Sequence, residues 1–225
     1  MKQIIKAAIV TGAMIIGSMP ISLANVLLTS KAPSNDMLTN NLSGDVALIN
    51  FSDVNQDSLY GEAIYALVEK GVLKGYSDNT FKADKKMTRA EFAKVFVVAN
   101  ELKKNSNNEN QSLEDISNHW AKEYIEIAFS NNIIEGYPDK TFKPEKEITY
   151  GEVLTILLKN LMLEDKTLEL NSELEWPQNY MNLASEIGLL DGIATNDMVG
   201  INSARRDNVA LMLWNQMNYK NNNDD

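Results

Sequence analysis

Apolar residues recur at helical spacing in several separate stretches of the chain. Ala63, Ile64, Leu67 and Val68 share one face and end at Gly71, a residue able to stop a helix in the left-handed conformation. A second pattern starts at Thr88 and carries Phe92, Val95, Phe96 and Ala99 on one side. The same pair returns further on, as Ile125, Ala128 and Phe129, then Val153, Ile156, Leu157 and Leu161. The spacing predicts helix–loop–helix blocks. Polar, non-periodic stretches at 29–45, 103–112, 163–175 and 218–225 read as linkers and a tail.

The blocks are repeats. Phe51-Ser-Asp-Val54 matches Leu113-Glu-Asp-Ile116. Gly75-Tyr-Ser-Asp-Asn-Thr-Phe-Lys82 matches Gly136-Tyr-Pro-Asp-Lys-Thr-Phe-Lys143, 61 residues on, and Met87-Thr-Arg-Ala-Glu91 matches Ile148-Thr-Tyr-Gly-Glu152 at the same offset. A third, diverged block keeps the spacing. Gly188-Leu-Leu-Asp-Gly192 answers Gly71-Val-Leu-Lys-Gly75 at an offset of 117, which also carries Arg89 onto Arg206. Trp120 and Trp176 each stand 16 residues before a loop glycine, Gly136 and Gly192, where the first block has Leu59. A two-helix unit cannot bury its apolar face alone, so the three blocks must cover one another in a mainly α body.

The N-terminus reads differently. Lys2 and Lys6 precede an apolar stretch from Ala7 to about Leu23 and a small-residue site, Ser22-Leu23-Ala24. That is a secretory signal peptide pattern. An uncleaved anchor is the alternative, although the stretch is short for a span of about 20 residues and Gly17 and Pro20 break it. The expected organisation is a signal peptide at 1–24, a linker at 25–50, repeats at 51–104, 113–162 and 176–218, and a polar tail at 219–225.

The net charge is −10, and −12 without the first stretch, with 19 basic against 31 acidic residues. An acidic surface repels nucleic acid, so an anionic ligand has to be caught by a local set of donors. There is no cysteine, which removes disulfides and thiolate chemistry. Asp53-x-Asn55-x-Asp57 resembles a calcium loop but has Ser58 where glycine is needed and Ile64 where the bidentate acid should stand. His119 is the single histidine, which leaves His-based triads and zinc sites little support. No metal or other cofactor is expected.

Thr88 with Glu91, and Thr149 with Glu152, form capping boxes, a structural role. Arg89 stands at the first helical position, where the helix dipole disfavours a cation. Beside free helix-terminal N–H groups, its guanidinium would make a carboxylate site. Arg206 is its counterpart, beside Arg205; ordinary pairing of both with nearby acids is the alternative. Gly75, Gly136 and Gly192 suit positive φ or close backbone approach. Trp120 and Trp176 suit a core, and an indole near a sugar site also serves as a platform.

These motifs closely resemble the S-layer homology (SLH) domain family of bacterial surface proteins. The resemblance runs from about Phe51 to Asn218 and is weaker in the third block, where it rests on Arg206-Asp-Asn-Val-Ala-Leu-Met-Leu-Trp214. It implies a pseudo-threefold helical body whose inter-repeat grooves bind a secondary cell-wall polysaccharide, often pyruvylated, at the cell wall or surface of a Gram-positive bacterium. It implies anchoring, not catalysis, with Arg89 first and Arg206 second as carboxylate binders, and Gly75, Gly136, Trp120 and Trp176 beside them. Block two departs, with Tyr150-Gly151 in place of Arg-Ala. Block three places Arg205 and Asn208 where the cap residues should stand, and a shifted cap at Asn202 or Ser203 is an alternative. A surface adaptor or S-layer component that holds a protein partner is the competing function. A small wall hydrolase has only the location and the abundant carboxylates behind it.

Overall fold

Side-chain caps set the helix starts. Ser58 accepts from the Gly61 N–H and opens α1 (Leu59–Glu69). Complete capping boxes at Thr88/Glu91 and Thr149/Glu152 open α2 (Arg89–Ala99) and α4 (Tyr150–Asn160). The remaining helices are α3 (Lys122–Ser130), preceded by a 3₁₀ turn at Glu114–Ile116, α5 (Gln178–Glu186) and α6 (Arg206–Asn223). Each first helix of a pair is followed by a left-handed residue at the same place: Gly71, Asn132 and Gly188. The computed structural model describes residues 49–105, 113–163, 174–194 and 199–223, which lie in one unit, Ala47–Asp225. The expected signal peptide and nearly all of the first linker fall outside the described residues. Among those described, no helix is long and apolar enough to cross a membrane.

The architecture is mainly α, as expected. Each second helix packs on the first helix of the following pair: α2 on α3, α4 on α5, and α6 back on α1. At the centre, backbone hydrogen bonds close a triangle. The Met87 N–H donates to Ala204 (3.0 Å), the Ala204 N–H to Ile148 (2.8 Å), and the Ile148 N–H to Met87 (3.0 Å). Met87, Ile148 and Ala204 are buried, with Phe92, Phe96, Leu157 and Val209 around them. Fully burying each large side chain contributes about 1.5–3 kcal/mol. Every residue from Arg206 to Leu213 is buried, the pattern of a helix enclosed by its neighbours.

One expectation needs correction. The polar tail at 219–225 is helical as far as Asn223, because Met217 and Tyr219 still pack against the core. The third block starts its second helix in the register of the 117-residue offset, not at the alternative, shifted cap. Its Arg206 N–H donates to Lys85 O (2.9 Å), as the Arg89 N–H donates to Lys146 O (2.9 Å).

Candidate functional site: the inter-repeat grooves

The loop motif holds the arginines. Asp53 accepts from the Phe81 and Lys82 N–H groups, both at 2.7 Å, and Asp115 accepts from Phe142 and Lys143, both at 2.8 Å. This fixes Lys82 and Lys143 in the left-handed region and turns the Phe81 and Phe142 carbonyls towards the neighbouring repeat. Arg89 Nε donates to Phe142 O (2.9 Å) and Arg206 Nε to Phe81 O (3.2 Å). Each guanidinium lies over the Phe ring, at 4.5 Å, and near the loop tyrosine, Tyr137 for Arg89 (5.2 Å) and Tyr76 for Arg206 (5.4 Å). The arginines are 7% and 6% exposed. Each therefore bolts its own repeat to the loop of another.

The helix-terminal N–H groups beside them are not free. Arg89 and Ala90 donate to Lys146 and Pro144, and Arg206 and Asp207 to Lys85 and Ala83. Glu91 donates to Thr88 Oγ1 at 3.1 Å. The free terminal donors expected of an anion site are therefore absent at these two helix starts, and only side-chain charge differs between the grooves.

In that respect the two arginines differ. Arg89 Nη1 meets Glu152 Oε1 at 3.2 Å, and its Nη2 donates to Glu135 O at 3.3 Å. Glu152 is held in place by the Thr149 N–H, at 2.9 Å. Arg206 Nη2 donates to Lys74 O at 3.1 Å, and among the described residues no carboxylate lies within 4.0 Å of its guanidinium. Glu91, the counterpart of Glu152, is drawn to Lys85 (3.0 Å) and to the Thr88 N–H (2.9 Å). Lys94 stands near Arg206 and Lys74. Burial, then the charges of Lys74 and Arg206, push its ammonium pKa down, against the pull of Glu91. The 61-residue offset maps Lys74 and Lys94 onto Glu135 and Thr155, so the cation cluster belongs to one groove alone. Sequence reasoning missed these two lysines, although that offset already set them apart.

Tyr150 fills the arginine position in the third groove. It is buried, and its hydroxyl accepts from Asn208 Nδ2 at 2.6 Å. Gly151 beside it has no room for a side chain, because an added Cβ would stand 2.7 Å from Pro177 and 3.1 Å from the Trp176 ring. Arg205 pairs with Asp207 (2.6 Å) and Asp84 in place of a threonine cap.

Trp120 and Trp176 are not core residues; they are 57% and 50% exposed. Trp176 lines a groove of about 310 Å³ with Arg89, Glu135, Glu152, Thr155 and Lys159. Of the three loop glycines only Gly192 has positive φ (79°). Gly75 and Gly136 give space instead to Phe51 and Leu113, whose side chains would lie 2.0 and 2.6 Å from an added Cβ.

The S-layer homology domain family matches residues 50–93 and 112–154, the two blocks with complete loop motifs. The chain carries two S-layer homology domains. Related sequences include a surface layer protein of Brevibacillus choshinensis, 30% identical over 145 residues, covering 63% of this chain and 12% of that protein. A cellulosome-anchoring protein of Acetivibrio thermocellus is 36% identical over 124 residues, 54% of this chain and 28% of that protein. The exoglucanase XynX of the same species is 26% identical over 209 residues, 88% of this chain and 18% of that protein. The chain therefore spans less than a third of the length of these relatives. The SLH domains and these relatives place it at the bacterial cell surface.

Proposed function

We propose that this SLH protein anchors to the cell wall by seating an acidic group of a wall polysaccharide, a pyruvylated secondary polymer, in the groove at Arg206. The three repeats and their pseudo-threefold relation are part of this reading, supported by the cyclic helix contacts and the central triangle. The observation that carries it is the Arg206 guanidinium, over the Phe81 ring with its Nη2 on Lys74 O and, among the described residues, with no carboxylate within 4.0 Å, while the charges of Arg206 and Lys74 both act on Lys94, in a protein of net charge −10. Among the described residues Arg206 has no ion-pair partner to be displaced, so an incoming carboxylate gains a charge-assisted contact at little cost. Arg89, already paired with Glu152, ranks second as a carboxylate binder on this reading. In the third groove Tyr150 stands in place of the arginine.

The test is retention of the full chain on purified walls, before and after mild acid removes the ketal. The Lys74→Gln/Lys94→Gln pair leaves the buried arginine contacts alone. It should weaken retention about tenfold or more, the effect of losing one or two charge-assisted contacts. Arg206→Met should do the same. Equal retention by the double-lysine variant on ketal-bearing walls would sink the site.

The name of the cellulosome-anchoring relative favours a second reading, an adaptor that holds a protein partner at the surface. Under it, free wall polymer would leave partner capture unchanged.

A further inference from the structure

We propose that the Arg89 groove is a separate seat for an uncharged sugar residue. This goes beyond the acid-binding role of Arg206 and rests only on the reading that this surface meets wall glycan. The groove, of about 310 Å³, is at the small end of ligand sites. Its four charged lining residues pair off, Arg89 with Glu152 at 3.2 Å and Lys159 with Glu135 at 3.0 Å, and Lys146 reaches Glu152 from outside the lining at 3.8 Å. A carboxylate entering here would have to displace Glu152, which is tied to the Thr149 N–H and hydroxyl at 2.9 and 3.3 Å. Failing that, it would face Glu152 as a like charge, which disfavours an anion.

A neutral sugar meets no such conflict. Its hydroxyls donate and accept, and the paired side chains keep spare N–H groups and lone pairs for both. The half-exposed Trp176 ring offers a flat apolar face to the C–H side of a pyranose. That ring is already oriented. Its Nε1 donates to Thr155 Oγ1 at 3.0 Å, and its Cζ2 edge packs at Gly151. Little side-chain freedom is left to lose on binding. At the Arg206 groove the counterpart of Thr155 is Lys94 and that of Glu135 is Lys74, so the two grooves differ where charge is decided.

The experiment follows the indole N–H signals of the full chain by NMR, assigned with Trp176→Phe and Trp120→Phe variants. The probes are methyl N-acetylmannosaminide and its 4,6-pyruvate ketal. The neutral probe should shift Trp176 alone, equally at low and high salt. The ketal should act at Trp120, which holds the position in the second repeat that Trp176 holds in the third. Glu152→Gln keeps the capping box, which accepts either residue, and unbalances the groove. It should bring at least a tenfold gain in ketal affinity at Trp176. Wild-type Trp176 that answers the ketal as tightly as the neutral sugar, or answers neither, overturns the inference. Trp120 still answering the ketal in that case leaves the anchoring proposal standing, while a silent Trp120 beside a responsive Trp176 does the reverse.

Discussion

At the scale of single residues, two arginines in equivalent positions acquire different chemistry from one neighbour. Glu152 neutralises Arg89, while Glu91 is turned away from Arg206 towards Lys85. The sequence offsets located both arginines. They did not show which had an acid in reach, because that depends on side-chain directions across a repeat boundary. Another residue stands out for what it lacks. Gln216 is fully buried; its Nε2 donates to Leu157 O at 3.3 Å, and its Oε1 has no partner. Leu157 O already accepts from the Leu161 N–H (3.2 Å), so it does not need the glutamine. Gln216→Leu should stabilise the protein by about 1–3 kcal/mol, the cost of an unsatisfied buried polar group. The check is a higher midpoint at unchanged slope in chemical denaturation.

At the scale of elements, the caps and stops were legible because their signals are local. Thr88 with Glu91, Thr149 with Glu152, and Gly71 need only their own neighbours. The extension of α6 through the polar residues 219–223 was not legible, since it depends on a core built elsewhere. The role of Asp53 is intermediate: the motif marks it, but only the fold shows its carboxylate gathering the Phe81, Lys82 and Ala83 N–H groups. Burial works to raise its pKa, and those three donors outweigh it, so the folded value lies below 3.8. A carboxylate depressed in the folded state contributes stability above its unfolded pKa, and that contribution is lost as pH falls through the folded value. Wild-type stability should therefore decline on acidification below about pH 4. Asp53→Asn should lower stability at neutral pH by about 1 kcal/mol, the net worth of such a hydrogen bond, and flatten the acid limb. Denaturation midpoints measured against pH would show both; an unchanged acid limb would remove Asp53 from the loop's support.

At the scale of the molecule, helix packing is cyclic where a linear repeat array has two free ends. α1 packs on α6, and the triangle of Met87, Ala204 and Ile148 takes one residue from each block. Repetition itself was visible in the sequence; closure was implied only by the family resemblance, since no motif says whether the first unit meets the last. Ending the chain after Leu163 should abolish cooperative melting, because α1 and α4 would both lose a partner. A linear array would keep a reduced but distinct transition; calorimetry distinguishes the two. Closure also has a direction in time. The carbonyls of Ala83 and Lys85 wait for donors on Asp207 and Arg206, and Arg206 lies 121 positions after Lys85. At about 5–20 residues per second, that is roughly 6–24 s of synthesis. The earlier repeats stand incomplete throughout, so the nascent chain remains threadable until its last helix has been made.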